Sequence, residues 1–270
     1  MKRSLVLGAS ALVSIVACAS TAADDPDVVA ARDGTDLVSH EGDVEILTAS
    51  LVGSSGGALA LAEFPLEGDL HTSDLGDGAK ALFFPKGCLV TTHPASTNEV
   101  TYTFDDCLGP FGLRRLTGSL KIVFAKSTTG LSLDATATGL AVGRATLGLV
   151  AHAEVTAVGV ERRATWHAEI EGTTARDRAF RRVVDRTLVS RTGEACITAN
   201  GASTGTVEGT SLRVTVNDLV RCRSACPEAG GHVEALREGL PALVLDFDGT
   251  TEAKVTIGSK TKSIALACAR

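Results

Sequence analysis

From about residue 81 onward, apolar and polar side chains alternate along most of the chain, and a period of two leaves few folds open. Val100, Tyr102 and Phe104 stand against Thr101, Thr103 and Asp105, and Leu120, Ile122 and Phe124 repeat the pattern around Lys121. Leu131, Leu133, Ala135 and Ala137 do so against Ser132, Asp134 and Thr136. Leu212, Val214 and Val216 follow, then Ala253, Val255 and Ile257. A strand turns successive side chains to opposite faces, so each set reads as a half-buried strand. Between the sets lie "HPASTN", "STTG", "NG", "DG" and "GSK", rich in the residues that turns require. Many strands joined by short turns predict an all-β domain of ten or so strands. It is mainly an antiparallel meander, built as a sandwich or a curved open barrel.

Two stretches depart from the alternation. In "DVEILTASLVGSSGGALALA" (43–62), Val44, Leu47 and Leu51 have helical spacing until Gly53, Gly56 and Gly57 break it, which predicts one short helix near the N-terminus. In "ARDRAFRRVVDRTLVSRTG" (175–193), Phe180, Val183, Val184 and Leu188 fit either an amphipathic helix or an irregular edge strand. Its Arg176, Arg178, Arg181, Arg182 and Arg186 read as a solvated basic face that blunts a sheet edge, or as a contact for anionic lipid or polysaccharide phosphate.

The front of the chain carries an address. Lys2 and Arg3 precede an apolar run from Leu5 to Ala17, too short for a permanent membrane span and laid out as a secretory signal. The run ends in Ile15-Val16-Ala17-Cys18. This resembles the lipobox of bacterial lipoproteins, over the first eighteen residues only. The resemblance implies cleavage before Cys18 and acylation at Cys18, palmitate included. Several acyl chains at ~0.8 kcal/mol per buried CH₂ would anchor the protein stably to a membrane. Ala19, in place of Asp, favours the outer membrane within that family. The expected organisation is a signal peptide over 1–17, an anchor and flexible Ala/Asp-rich tether over 18–42, and a β-rich domain over 43–270. A short echo between "VTYTFDDC" (100–107) and "LVLDFDGT" (243–250) would mark two related halves of that domain.

Charge and composition then exclude some classes. A net charge of −6 gives no signal for nucleic acid. Eight Phe, one Trp and one Tyr are too few for the aromatic girdles of a membrane-spanning barrel or for base-stacking platforms. Besides Cys18 there are six cysteines: Cys88, Cys107, Cys196, Cys222, Cys226 and Cys268. An even number in an exported chain predicts disulfides. Cys88 and Cys107 would flank one hairpin and are expected to pair, and the other four stay open. A zinc site from Cys222, Cys226 and His232 would need reduced thiolates, which an oxidising compartment disfavours.

Three motifs bear on chemistry. "LVLDFDGT" resembles the first motif of the haloacid-dehalogenase superfamily, which implies Asp246 as nucleophile, Asp248 as acid/base and bound Mg²⁺. That motif must be followed by βαβ units of ~30 residues each, whereas only 24 residues follow Asp246 and they read as two strands. The preferred reading puts Leu243, Leu245 and Phe247 in the core, Asp246 and Asp248 outside, and a turn at Asp248-Gly249. "GSSGG" (53–57) and "GASTG" (201–205) match the serine nucleophile elbow, but neither has the strand-to-helix context, so both read as Gly/Ser turns.

The third is "HAEV" (152–155) and "HAEI" (167–170) flanking a turn at Gly159-Val160. That turn would set His152 opposite His167, Ala153 opposite Trp166 and Leu149 opposite Ile170, with His152, Glu154, His167 and Glu169 on the outer face. Such a face is ordinarily just polar sheet surface, yet two imidazoles and two carboxylates are also a ligand set for a divalent metal. The segment "RCRSACPEAG … LVLDFDGT … IALAC" resembles the C-terminal part of exported bacterial lipoproteins to which no activity attaches. The expected function is a non-catalytic envelope lipoprotein, a scaffold or binding module without a cofactor. The alternative is a carrier whose curved sheet cups a lipid or other hydrophobic ligand.

Overall fold

The computed structural model describes residues 44, 47, 48, 51, 72–94, 97–109, 115–126, 130–192, 194, 196–222 and 226–265. Cys18, the signal and tether segments, Ser55 and Cys268 lie outside them. Alternation becomes a single antiparallel sheet of thirteen strands whose order in space is their order in the chain. The strands are β1 (Leu89–Thr92), β2 (Glu99–Cys107), β3 (Leu116–Lys126), β4 (Gly130–Val142), β5 (Ala145–Val158) and β6 (Glu161–Thr173). Then come β7 (Ala179–Arg191), β8 (Cys196–Val207), β9 (Thr210–Cys222), β10 (His232–Arg237), β11 (Leu243–Phe247), β12 (Glu252–Ile257) and β13 (Lys260–Ala265). There is one sheet, so the sandwich alternative falls, and β1 and β13 are unpaired edges, so the sheet is not closed.

One face of this sheet is apolar and buried from Leu89 on β1 to Val255 on β12, and it forms one continuous core. Among the described residues only a few helical ones are available to cover it. Val44, Leu47, Thr48 and Leu51 are helical and buried, as their spacing predicts. The Tyr102 hydroxyl on β2 donates to the Leu51 carbonyl at 3.2 Å, and burial pushes that hydroxyl's pKa up. A further helix, Thr72–Lys80, packs by β1 and β2; its Gly- and Asp-rich sequence hid it from a search for periodicity. A sheet of this many strands twists and coils, which turns its apolar face in on itself.

Bulges help it do so. The ladders shift at Phe104/Cys107, at Thr117/Ser119, at Ala137/Leu140 and at Ala199/Gly201. Each inserts a residue, bends the strand and increases its twist. The last of these corrects an expectation: Asn200-Gly201 is not a hairpin turn but lies inside β8, where the Asn200 side chain accepts the Asp218 amide at 2.7 Å.

A second correction concerns 175–193. This stretch is neither helix nor edge. It forms β7, a thirteen-residue strand in the middle of the sheet, between β6 and β8. Its inward positions are Phe180, Arg182, Val184, Arg186, Leu188 and Ser190, all buried. Two arginines in that inward series break the apolar alternation, and the remaining apolar residues fall by accident at helical spacing.

Candidate functional site

The outer face of β4–β7 carries a polar ladder. The Gly159-Val160 turn joins β5 to β6, and the register is the one the sequence predicts: His152 opposite His167, Ala153 opposite Trp166, Leu149 opposite Ile170. On either side the ladder ends in an aspartate. Asp134 on β4 pairs with His152, and Asp185 on β7 pairs with His167. The row therefore reads Asp–His–His–Asp across four strands. Nδ1 of His152 is 2.8 Å from Asp134 Oδ1, and Nδ1 of His167 is 2.7 Å from Asp185 Oδ1. The other ring nitrogen of His152 lies 3.2 Å from Glu154 Oε1. The hydrogen bond to Asp134 raises the pKa of His152 above the ordinary histidine value. Desolvation opposes this, and Glu154 adds to it.

The four residues expected on one face are therefore there, but not as one cluster. Glu154 meets His152, whereas Glu169 reaches toward Arg181, 3.7 Å away. As the side chains stand, no three metal-ligating groups converge on one point among the described residues. Asp134 and Asp185 are the members that sequence reasoning missed.

A third His–Asp pair sits farther along the sheet. His232 on β10 faces Asp246 on β11, with Nδ1 and Oδ1 2.8 Å apart. Asn217 and Lys254 flank that pair in register. Asp246 is thus the acidic partner of a cross-strand pair. Asp248 accepts from the Thr250 amide at 3.0 Å and the Thr250 hydroxyl at 2.7 Å. Those bonds, the hydroxyl's first, hold its carboxyl below the usual carboxylate range. Leu243, Leu245 and Phe247 are buried, and β11 and β12 run antiparallel without a crossover. A superfamily motif of this kind needs parallel strands and a crossover helix, and neither is present here.

The motif at 201–205 also changes meaning. It is the middle of β8, not a turn, and Ser203 is buried on the inner face. There the fully buried Arg182 donates through Nη2 to the Ser203 hydroxyl at 2.5 Å and through Nη1 to the Leu212 carbonyl at 2.6 Å. Gly205 stands opposite Arg182 and Gly201 opposite Arg186. A Cβ on Gly205 would run into the Arg181 carbonyl oxygen, so only glycine lets β8 approach β7 this closely.

Cys88 bonds to Cys107 as expected, and Cys196 bonds to Cys222 across β8 and β9. Cys226 is disulfide-bonded too. Neither Cys222 nor Cys226 is a free thiolate, which removes the zinc alternative with His232. No described helix is long and apolar enough to cross a membrane. The class defined so far is an open, coiled, all-antiparallel β domain with disulfides and a polar outer face. No family model, curated protein or solved structure matches the chain.

Proposed function

We propose that this is a lipid-anchored cell-envelope protein whose coiled sheet serves as a non-catalytic binding scaffold. The lipobox at Ile15–Cys18 supports the anchor. The disulfides suit an oxidising compartment outside the cytoplasm. Charges on the outer face, such as Lys121 near Glu99 at 3.6 Å, suit water on that side.

One observation favours the scaffold over the carrier. The inner face is packed: Leu133, Ala151, Ala153, Trp166 and Ala168 keep 0–5% of their surface, and a guanidinium occupies its middle at Arg182. A lumen for an acyl chain would leave its wall residues accessible and would be predominantly apolar.

Labelling cells with an alkynyl fatty acid should mark the wild type and not Cys18→Ser. Mass spectrometry of the purified protein should find no stoichiometric lipid beyond the covalent one. Label retained in Cys18→Ser would remove the anchor, and a tightly held lipid in one-to-one amount would replace the scaffold with the carrier.

A further inference from the structure

We infer that the outer face of β5 and β6 is a binding site for one divalent transition-metal ion, held by His152, His167 and Glu154. The site is independent of the anchor reading, since it uses no residue before Asp134.

Three features of the ladder carry this. The first is the opposition of two imidazoles on adjacent strands. Directly opposed residues have Cβ atoms ~4.5–5.5 Å apart, close enough for both rings to reach one ion. The second is the pair of aspartates. Each Nδ1 points at an aspartate oxygen, at 2.8 Å for His152 and 2.7 Å for His167. A carboxylate there fixes the N–H on Nδ1 and leaves Nε2 as a lone pair, the arrangement that metal-binding histidines ordinarily have.

The third is the Glu154 contact. The other ring nitrogen of His152 lies 3.2 Å from Glu154 Oε1, so a carboxylate stands beside the nitrogen that Asp134 leaves unused. An ion placed between them would take both as ligands. Two ligands on one tetrahedral zinc, with bonds of ~2.0–2.2 Å, stand about 3.3 Å apart, close to the separation found here.

Glu169 is left out of the ligand set because its carboxylate lies toward Arg181, 3.7 Å away. His167 completes the site through Nε2 with its Nδ1 still on Asp185, both side chains being more than half exposed and so able to adjust together. Water fills the fourth position. Two imidazole donors select copper, zinc or nickel over calcium or magnesium. The His232–Asp246 pair is the built-in control. It has the same aspartate contact but no second histidine across from it, and Lys254 lies in register beside Asp246.

The test is calorimetric titration of Zn²⁺ and Cu²⁺ into the untagged full chain in detergent, with circular dichroism to confirm that every variant is folded. The wild type should bind one ion. His152→Ala and His167→Ala should each weaken it at least tenfold. Asp185→Asn, which removes no ligand, should weaken it ~10–100-fold. His232→Ala should change nothing. With Cu²⁺, paramagnetic resonance should show coupling to two imidazole nitrogens in the wild type and one in His167→Ala. Absence of binding by the wild type, equal binding by the double variant His152→Ala/His167→Ala, or loss of the ion in His232→Ala would each overturn the site.

Discussion

Arg181 and Arg182 are adjacent in the chain and point to opposite sides of β7, and the sheet uses them differently. Arg181 stands largely in solvent, 3.7 Å from Glu169 on the neighbouring strand. Such a pair is screened by water and holds two long side chains in place at an entropic cost, so it is worth ~0–1 kcal/mol. Arg182 has no exposed surface and spends its guanidinium on Ser203 and the Leu212 carbonyl, tying β7 to β8 and β9. The outer face of the sheet tolerates polarity as a surface, whereas the inner face admits it only as a fixed network. A slip of β7 by one residue would put Arg181 and Asp185 inside and strand Arg182 in water, so the buried arginine also specifies register.

The sharpest way to break this contrast is to truncate each arginine in turn. Arg182→Ala removes the donor from a buried hydroxyl and a buried carbonyl and leaves a cavity, for an expected loss of about 3–5 kcal/mol. Arg181→Ala should stay within about 0.5 kcal/mol of the wild type. Urea unfolding of both variants checks this, and equal midpoints would show that the inner network contributes nothing. Next in size is Gly205→Ala. The new methyl would meet the Arg181 carbonyl oxygen at a backbone φ of +157°. Strain and displacement of β8 from β7 should remove about 2–3 kcal/mol. A neutral result would mean that β8 can back away, and that the closeness of the two strands is not what seats Arg182.

The same contrast explains what could be read from the chain. Strands β2, β3, β4, β9 and β12 were legible because their inward residues are apolar throughout, as in Val100, Tyr102 and Phe104. β7 was not, because Arg182 and Arg186 sit where apolar residues are expected. The 201–205 glycines looked like turn residues for a related reason: their task is to let β8 come close to β7, and nothing local announces that. The histidine pair was legible because a two-residue turn fixes the register of β5 on β6. The aspartates flanking it were not. Near its turn β4 pairs Val142 with Ala145, and counting back from there would set Asp134 opposite Ala153. The bulge between Ala137 and Leu140 moves the register by one residue and brings Asp134 to His152 instead. Seeing Asp185 would have required β7 to be recognised as a strand.

The smallest effect belongs to the outer face and has a definite sign. Because Asp134 raises the pKa of His152 from its ordinary 6.5, the folded protein holds that proton more tightly than the unfolded chain does. The resulting stabilisation is fully present below the ordinary value and is lost as pH rises through the raised one. Asp134→Asn removes the largest cause, so the His152 pKa, followed by NMR titration, should fall toward the ordinary value. The stability difference between wild type and variant should be visible near pH 6 and fade as the solution becomes alkaline. Since His152 and Asp134 are both about half exposed or more, screening limits that difference to a few tenths of a kcal/mol, roughly the low end for surface pairs. A wild-type advantage that instead grew with rising pH would mean that the Asp134 bond favours the neutral imidazole over the charged one, the reverse of a raised pKa.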